Sequence, residues 1–218
     1  MTKTNQQPAA LSRSAQRRIR EKEQRCATVL KAAEPLFAAK GYHQAGIEEI
    51  ADLAEISTGA VYFYFKNKED ILIRLMHDIG FFLREWLGKE VDKNELTVDG
   101  FCNIGDAFMR NFCVTYPEKI TIFFRESVGQ SPAVEKERRD MFDRLTSEIK
   151  DVLNRVSRNI GRKFVSKGAP DVMALCVVGI FERVACHYVM WPNQTDITSI
   201  VDEAIAFLRG GVNALLTA

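Results

Sequence analysis

Apolar residues recur every three to four positions through most of this 218-residue chain, the spacing of one helix face, and no sustained alternation of β-branched residues marks a strand. Val29, Ala33, Leu36 and Phe37 make one side of a helix over Glu21 to Lys40, with Gly41 as its stop and Pro35 predicting a kink. Two short helices follow, from about Ile47 to Ala54 and from Thr58 to about Phe65. Asn67 caps the next helix, with Asp70 three residues on, and that helix carries Ile71, Leu72, Leu75, Met76 and Ile79 to about Lys89. Val91–Asp99 reads as a charged loop. Further helices are expected over 100–115, 118–128, 132–163, 170–190 and 196–216, punctuated by Pro117, Ser131-Pro132, Gly168-Ala169-Pro170 and Pro192-Asn193. The run Ile120–Phe124 is ambiguous by itself, and its flanks favour helix.

The pattern predicts an all-α chain: a tri-helical N-terminal helix-turn-helix domain and a larger helical domain, for which an aromatic surplus and apolar last helices suggest ligand binding and dimerisation. The divisions are a basic flexible arm over 1–20, helical only near Arg17, a domain over 21–66, a connecting helix over 67–90 and a helical domain over 91–218. The two short helices cannot bury their apolar faces alone. Ile47, Ile50, Ala51, Ala54, Ile56, Val61 and Phe65 match the long preceding helix as a third wall, with Ala51 small at the close approach and Ser57 a cap. A second short helix so held would enter a DNA major groove by its N-terminal end.

Its outward face would be Thr58, Gly59, Ala60, Tyr62, Phe63 and Tyr64, almost without charge. Thr58 offers a hydroxyl to a base edge or phosphate, and Gly59 and Ala60 permit close approach. Tyr62 and Tyr64 suit phosphate and sugar, and Lys68 is expected to meet phosphate at the next helix start. Four consecutive aromatics at 62–65 cannot all face inward on a helix, so a pure core role for them is disfavoured.

The stretch from Thr28 to Met76 resembles the TetR family of transcriptional regulators. "LFAAKGY", "IEEIADLAEIS" and "TGAVYFYFKNKEDIL" carry the likeness, which covers about a quarter of the chain. The resemblance implies a homodimer whose first three helices bind double-stranded operator DNA. It also implies a fourth helix leading to a small-molecule effector domain, a dimer interface on the last two helices, and repression relieved by the effector. Thr58, Gly59 and Ala60 match the start of the family's recognition helix, and Tyr62, Tyr64 and Lys68 its common DNA contacts. Many members place Thr or Ser at the head of the second helix, where this chain has Ala45 and Gly46. That contact passes to backbone amides such as that of Gly46 or to the basic arm with Arg17 and Arg18, while Glu48 would repel phosphate if it faced DNA.

In the larger domain, the last two apolar helices read as a dimer interface through Val172, Gly179, Ile200, Ala204, Leu208 and Val212, with intrachain core as the alternative. Phe101, Phe108, Phe112, Phe123, Phe124, Tyr188 and Trp191 exceed what thin helices need and predict a pocket for an apolar, acyl or aromatic effector. Arg125, Arg183 and His187 are its polar candidates, and an arginine lining it would favour an acidic ligand. Full pairing of Arg125 and Arg183 with Glu126 and Glu182 at the surface would remove that argument.

Composition is that of an ordinary globular chain: 46% hydrophobic, 27% charged and a net charge of +1. The charge is uneven, because residues 1–25 hold seven basic against two acidic side chains, enough to track phosphate or merely to keep a tail hydrated. Five widely spaced cysteines and no long apolar run predict a reducing, cytoplasmic setting with no membrane partner. His43, His77 and His187 make no catalytic or metal-binding spacing with Cys or carboxylates, so neither enzyme, metal nor cofactor is expected. A thiol-based redox sensor remains an alternative if Cys186 has a lowered pKa beside Arg183 or His187, and a helical scaffold if the Tyr62 face is covered.

Overall fold

The computed structural model describes residues 12–190 and 197–217, and helices dominate them. α1 (Arg13–Lys40) is capped by Ser12, whose Oγ accepts the N–H of Ala15 at 3.3 Å. The helix therefore starts well before Glu21, and most of the expected flexible arm is helical where described. Ala15, Gln16 and the arginines are good helix formers, and Arg17 pairs with Glu21 one turn on at 2.7 Å. Pro35 lies inside α1, which continues through it. Pro35 and Lys31, the residue whose carbonyl loses its partner, are both exposed, so water can satisfy that carbonyl.

Gly41 ends α1 at φ 86°, a conformation that disfavours any Cβ. α2 (Ile47–Leu53) and α3 (Thr58–Tyr64) then cross over α1, with Val29, Ala33, Phe37, Ile50, Ala51 and Val61 closing a small core. α4 (Lys68–Lys93) is capped by Asn67, whose Oδ1 accepts the Asp70 N–H at 2.8 Å. Asp70 answers by accepting the N–H of Lys66 at 3.1 Å rather than that of the cap itself.

α5 (Val98–Ala107) runs on through a π-helical turn, Phe108–Phe112, to Cys113–Thr115. α6 (Pro117–Thr121) passes into a second π turn, Ile122–Glu126. The ambiguous run at 120–124 is thus helical. α7 (Pro132–Asn159), α8 (Ala169–Met190) and α9 (Ile197–Ala214) complete the body, α7 ending earlier than expected at a left-handed Gly161 of φ 70°. α8 packs on α7, α7 on α4 and α9 on α5. Arg162 binds the carbonyls of Leu216 and Thr217 at 2.8 Å each, tying the end of α9 to the loop after α7. No helix among the described residues is long and apolar enough to cross a membrane.

Candidate nucleic-acid interface and effector cavity

α3 begins where Ser57 Oγ accepts the Ala60 N–H at 3.2 Å. Val61 and Phe65 turn inward, and the opposite side is open: Tyr62 is 53% and Phe63 78% exposed. Gly59 is exposed and Thr58, Ala60 and Tyr64 are half-buried, so the face read from the sequence does point outward. Phe63 is its most exposed member and stands edge-on to Tyr64, with ring centroids 5.1 Å apart. The turn between α2 and α3 holds Glu55 at φ 55°, a conformation non-glycine residues rarely adopt.

Gly46 caps α2 by its backbone alone, and Glu49 Oε2 accepts the Gly46 N–H at 3.1 Å. Sequence reasoning attended to Glu48 and missed Glu49, although an acidic residue three places after a cap is the legible sign of this closure. Glu49 also pairs with Lys40, and its carboxyl is held below the usual range by that hydrogen bond first and the Gly46 amide second.

Lys68 departs from expectation. Its Nζ donates to the carbonyls of His43 and Ala45 at 3.0 Å each and lies 4.8 Å from the centre of the Tyr42 ring. Burial lowers its pKa. The ammonium closes the turn before α2. Arg17 and Arg18 are exposed on the early turns of α1.

The two parts of the chain meet at the α1–α2 turn. Glu126 Oε2 accepts the Tyr42 N–H at 2.7 Å, and Arg125 donates to Glu126 Oε1 at 2.6 Å and to the Ala38 carbonyl at 3.1 Å. Lys119 grips both oxygens of Glu34 at 2.8 and 2.7 Å, and Ser131 bonds Glu69. Gly41 is needed here for space as well as conformation, since a Cβ on it would sit 3.3 Å from Glu126 Oε2.

Within the body lies an apolar cavity of about 80 Å³. Leu83 and Leu87 of α4, Phe101, Ile104, Gly105 and Phe108 of the α5 segment, and Phe124 of the second π turn form one part of its wall. Phe142, Leu145 and Ile149 of α7, Val177, Val178, Phe181 and Glu182 of α8, and Leu208 of α9 form the rest. A larger groove of about 410 Å³ adjoins it between α4 and α7, rimmed by Arg84, Glu85, Asp92, Glu148, Asp151 and Arg155.

Of the sequence candidates among the described residues, Phe101, Phe108 and Phe124 line the cavity and the others do not. Phe112 is packed among Phe82, Trp86 and Tyr116, and Phe123 against Phe142. Arg125 is turned toward α1, and Glu182 pairs with Arg138 at 3.0 Å rather than with Arg183. Arg183 is exposed because it stands about 200° round α8 from Phe181. His187 and Tyr188 are half-buried away from the cavity, and Trp191 lies outside the described residues. The argument for an acidic ligand held by Arg125 or Arg183 therefore falls. Leu83, Leu87, Phe142 and Phe181 were missed: they lie on α4, α7 and α8, where helical spacing alone does not separate a cavity wall from filled core.

The expected interface residues divide. Val172 is 56% exposed and a Cβ on Gly179 would meet none of the described residues within 4 Å, but Ala204, Leu208 and Val212 are buried within their own chain and Ile200 is half-buried. The outward face of α8 and α9 is instead Val172, Leu175 at 61% and Phe207 at 71% exposure, beside the open Gly179 and Gly210. On α9 the stripe at 204, 208 and 212 follows the core, leaving Phe207 on the far side. The Cys186 thiol is pushed up by burial first and Glu182 second, only partly offset by Arg183. That is the reverse of what a reactive thiol requires.

An exposed recognition-type helix on a tri-helical head, joined to a helical body with its own cavity, defines a helix-turn-helix regulator architecture. Residues 29–75 match the family described as "Bacterial regulatory proteins, tetR family". The "Fatty acid metabolism regulator protein" of Bacillus subtilis (strain 168) is 35% identical over 77 residues, 35% of this chain and 36% of that protein. The match thus spans about a third of that relative's length. The FadR regulator of Bacillus subtilis solved with stearoyl-CoA superposes with a TM-score of 0.72 at 18% identity, over 85% of this chain and 98% of that one. AibR, solved with isovaleryl coenzyme A and operator DNA, superposes with a TM-score of 0.65 at 16% identity, over 84% of this chain and 97% of that one. Over residues 29–75 the chain is thus similar to the TetR family of bacterial regulatory proteins.

Proposed function

We propose that this chain is a transcriptional repressor. As a homodimer it binds a palindromic DNA operator, and an acyl thioester whose hydrocarbon part enters the apolar cavity releases it. The observation that carries the DNA reading is the α3 face, where Tyr62 and Phe63 are exposed beside the small residues Gly59 and Ala60. Such a surface has little reason to exist in a helical scaffold, because apolar rings in water cost free energy unless a partner covers them. Thr58, Tyr62 and Tyr64 supply hydroxyls for phosphate or base edges, and Arg17 and Arg18 add charge that tracks the backbone. Dimerisation uses the outer face of α8 and α9, which sets two α3 helices about 34–36 Å apart, one turn of DNA.

Support for the effector class comes from the cavity's hydrocarbon wall and from the coenzyme A thioesters bound by the two structural relatives. In the groove, carboxylates outnumber the guanidiniums of Arg84 and Arg155. The uncharged linker of a thioester would lie there, with its phosphates reaching solvent. Phe124 borders the cavity and Glu126, two residues on in the same π turn, holds the α1–α2 turn. Leu83 and Leu87 border it from α4, whose first residue Lys68 holds the same turn. A ligand that displaces either wall shifts the head, and it need only prefer one spacing of the two α3 helices.

The test is retention of genomic DNA fragments by the purified protein at fixed salt, with and without acyl-CoA, aromatic and cationic compounds. Selective retention of a palindromic fragment, lost on adding a thioester, is the expected result. Retention unaffected by every thioester would overturn the effector class and leave the DNA reading intact. No selective retention at any salt would overturn both.

A further inference from the structure

The inner cavity and the outer groove share Leu87, Phe101, Ile104, Leu145 and Ile149, which therefore mark the passage between them. Phe108 and Phe181 line the cavity and not the groove, so they lie beyond that passage. Phe181 is seated in a notch. A Cβ on Gly105 would lie 2.4 Å from Phe181 Cζ and 3.0 Å from its Cε2, so the ring tip occupies the room a side chain would take. Phe108 braces the ring edge-on, with centroids 5.9 Å apart at 78°. Among the described residues the one charged member of the cavity wall is Glu182, whose carboxylate is turned to Arg138.

We propose that Phe181, resting on Gly105, is the stop that sets the length of hydrocarbon this chain accepts, and that its effector carries a short acyl group. The inference rests on the thioester reading above. The argument is one of volume and wall chemistry. An apolar cavity of about 150 Å³ stays dry and takes benzene. The present space of about 80 Å³ is smaller, and suits a group of roughly five carbons or fewer. An isovaleryl group meets that limit, and a stearoyl chain would have to drive Phe181 out of its notch. Because the wall is hydrocarbon, a hydroxyl on the acyl group would be buried without a partner, which disfavours hydroxylated analogues.

The experiment is calorimetric titration of the full-length protein with propionyl-, isovaleryl-, hexanoyl-, decanoyl- and stearoyl-CoA, for the wild type, Phe181→Leu and Gly105→Ala. In the wild type each accepted methylene should tighten binding about fourfold, and the gain should stop at roughly five carbons. Phe181→Leu should move the optimum to longer chains. Gly105→Ala should move it to shorter ones, because the new methyl pushes the ring tip into the cavity. The two substitutions pull in opposite directions, so a general loss of stability cannot imitate the pair. Tightest wild-type binding by stearoyl-CoA, or one optimum common to all three proteins, would overturn the stop while leaving a thioester effector standing. Failure of every thioester to bind the wild type would overturn the stop and the thioester reading together.

Discussion

The carboxylate of Glu126 accepts the backbone N–H of Tyr42 at 2.7 Å, joining residues 84 positions apart. Glu126 is 9% exposed and its other oxygen takes Arg125. This contact fastens the turn after α1 to the π turn whose Phe124 borders the cavity. Glu126→Ala leaves a donor without its partner and should cost about 1–3 kcal/mol, whereas Glu126→Gln keeps an acceptor and should cost less. Urea denaturation measures both. Equal stability of Glu126→Ala and wild type would show that the contact contributes nothing to holding the two parts together.

Lys68 is expected to act on stability rather than on phosphate. Its two carbonyl contacts are partly open to solvent, so Lys68→Met should cost about 1–2 kcal/mol. The slope of operator affinity against salt should stay unchanged. Loss of a phosphate contact would instead reduce that slope by about 1.

Glu55 holds φ 55° between α2 and α3, where glycine has no Cβ penalty. Glu55→Gly should therefore stabilise the protein by about 1 kcal/mol, raising the melting temperature by about 2–4 °C. A lower melting temperature would mean that the Glu55 side chain contributes more than its backbone conformation costs.

Tyr62 belongs to the outer face of α3 and not to the core. Tyr62→Ala should leave the melting temperature nearly unchanged, since surface changes are usually within about 0.5 kcal/mol. Operator affinity should fall on the order of tenfold. Mobility-shift titration at one salt concentration reads the affinity; unchanged binding would remove Tyr62 from the interface.

Leu175 is 61% exposed beside Val172 and the open Gly179. Leu175→Glu would bury a charge wherever two such faces meet, so sedimentation should record a monomer at concentrations where the wild type is a dimer. Operator affinity should fall with it, because one chain reads one half-site. A dimer of undiminished stability would move the interface elsewhere.

The helix-turn-helix was legible because its determinants are local. Ser57 and Asn67 cap the residues that follow them, Val61 and Phe65 repeat at helical spacing, and four adjacent aromatics at 62–65 cannot all be buried on one helix. The early start of α1 was legible in principle from Ser12 and the Arg17–Glu21 spacing, but the charge of the segment drew attention to DNA instead. The contacts of Lys68 were not legible, because a lysine's reach lets it turn back on carbonyls more than 20 residues earlier, which spacing does not record.

The sequence by itself determined the all-α class, most helix boundaries and the outward face of α3, since caps, breakers and periodicity act over a few residues. Only the tertiary structure decided that Phe181 and Phe142 border a void while Phe112 and Phe123 fill the core, and that Phe207 rather than Leu208 faces outward. Those outcomes depend on how helices far apart in sequence are rotated and crossed against one another. Apolar residues of the same type and spacing satisfy either role, and only the neighbours supplied by the other helices distinguish them.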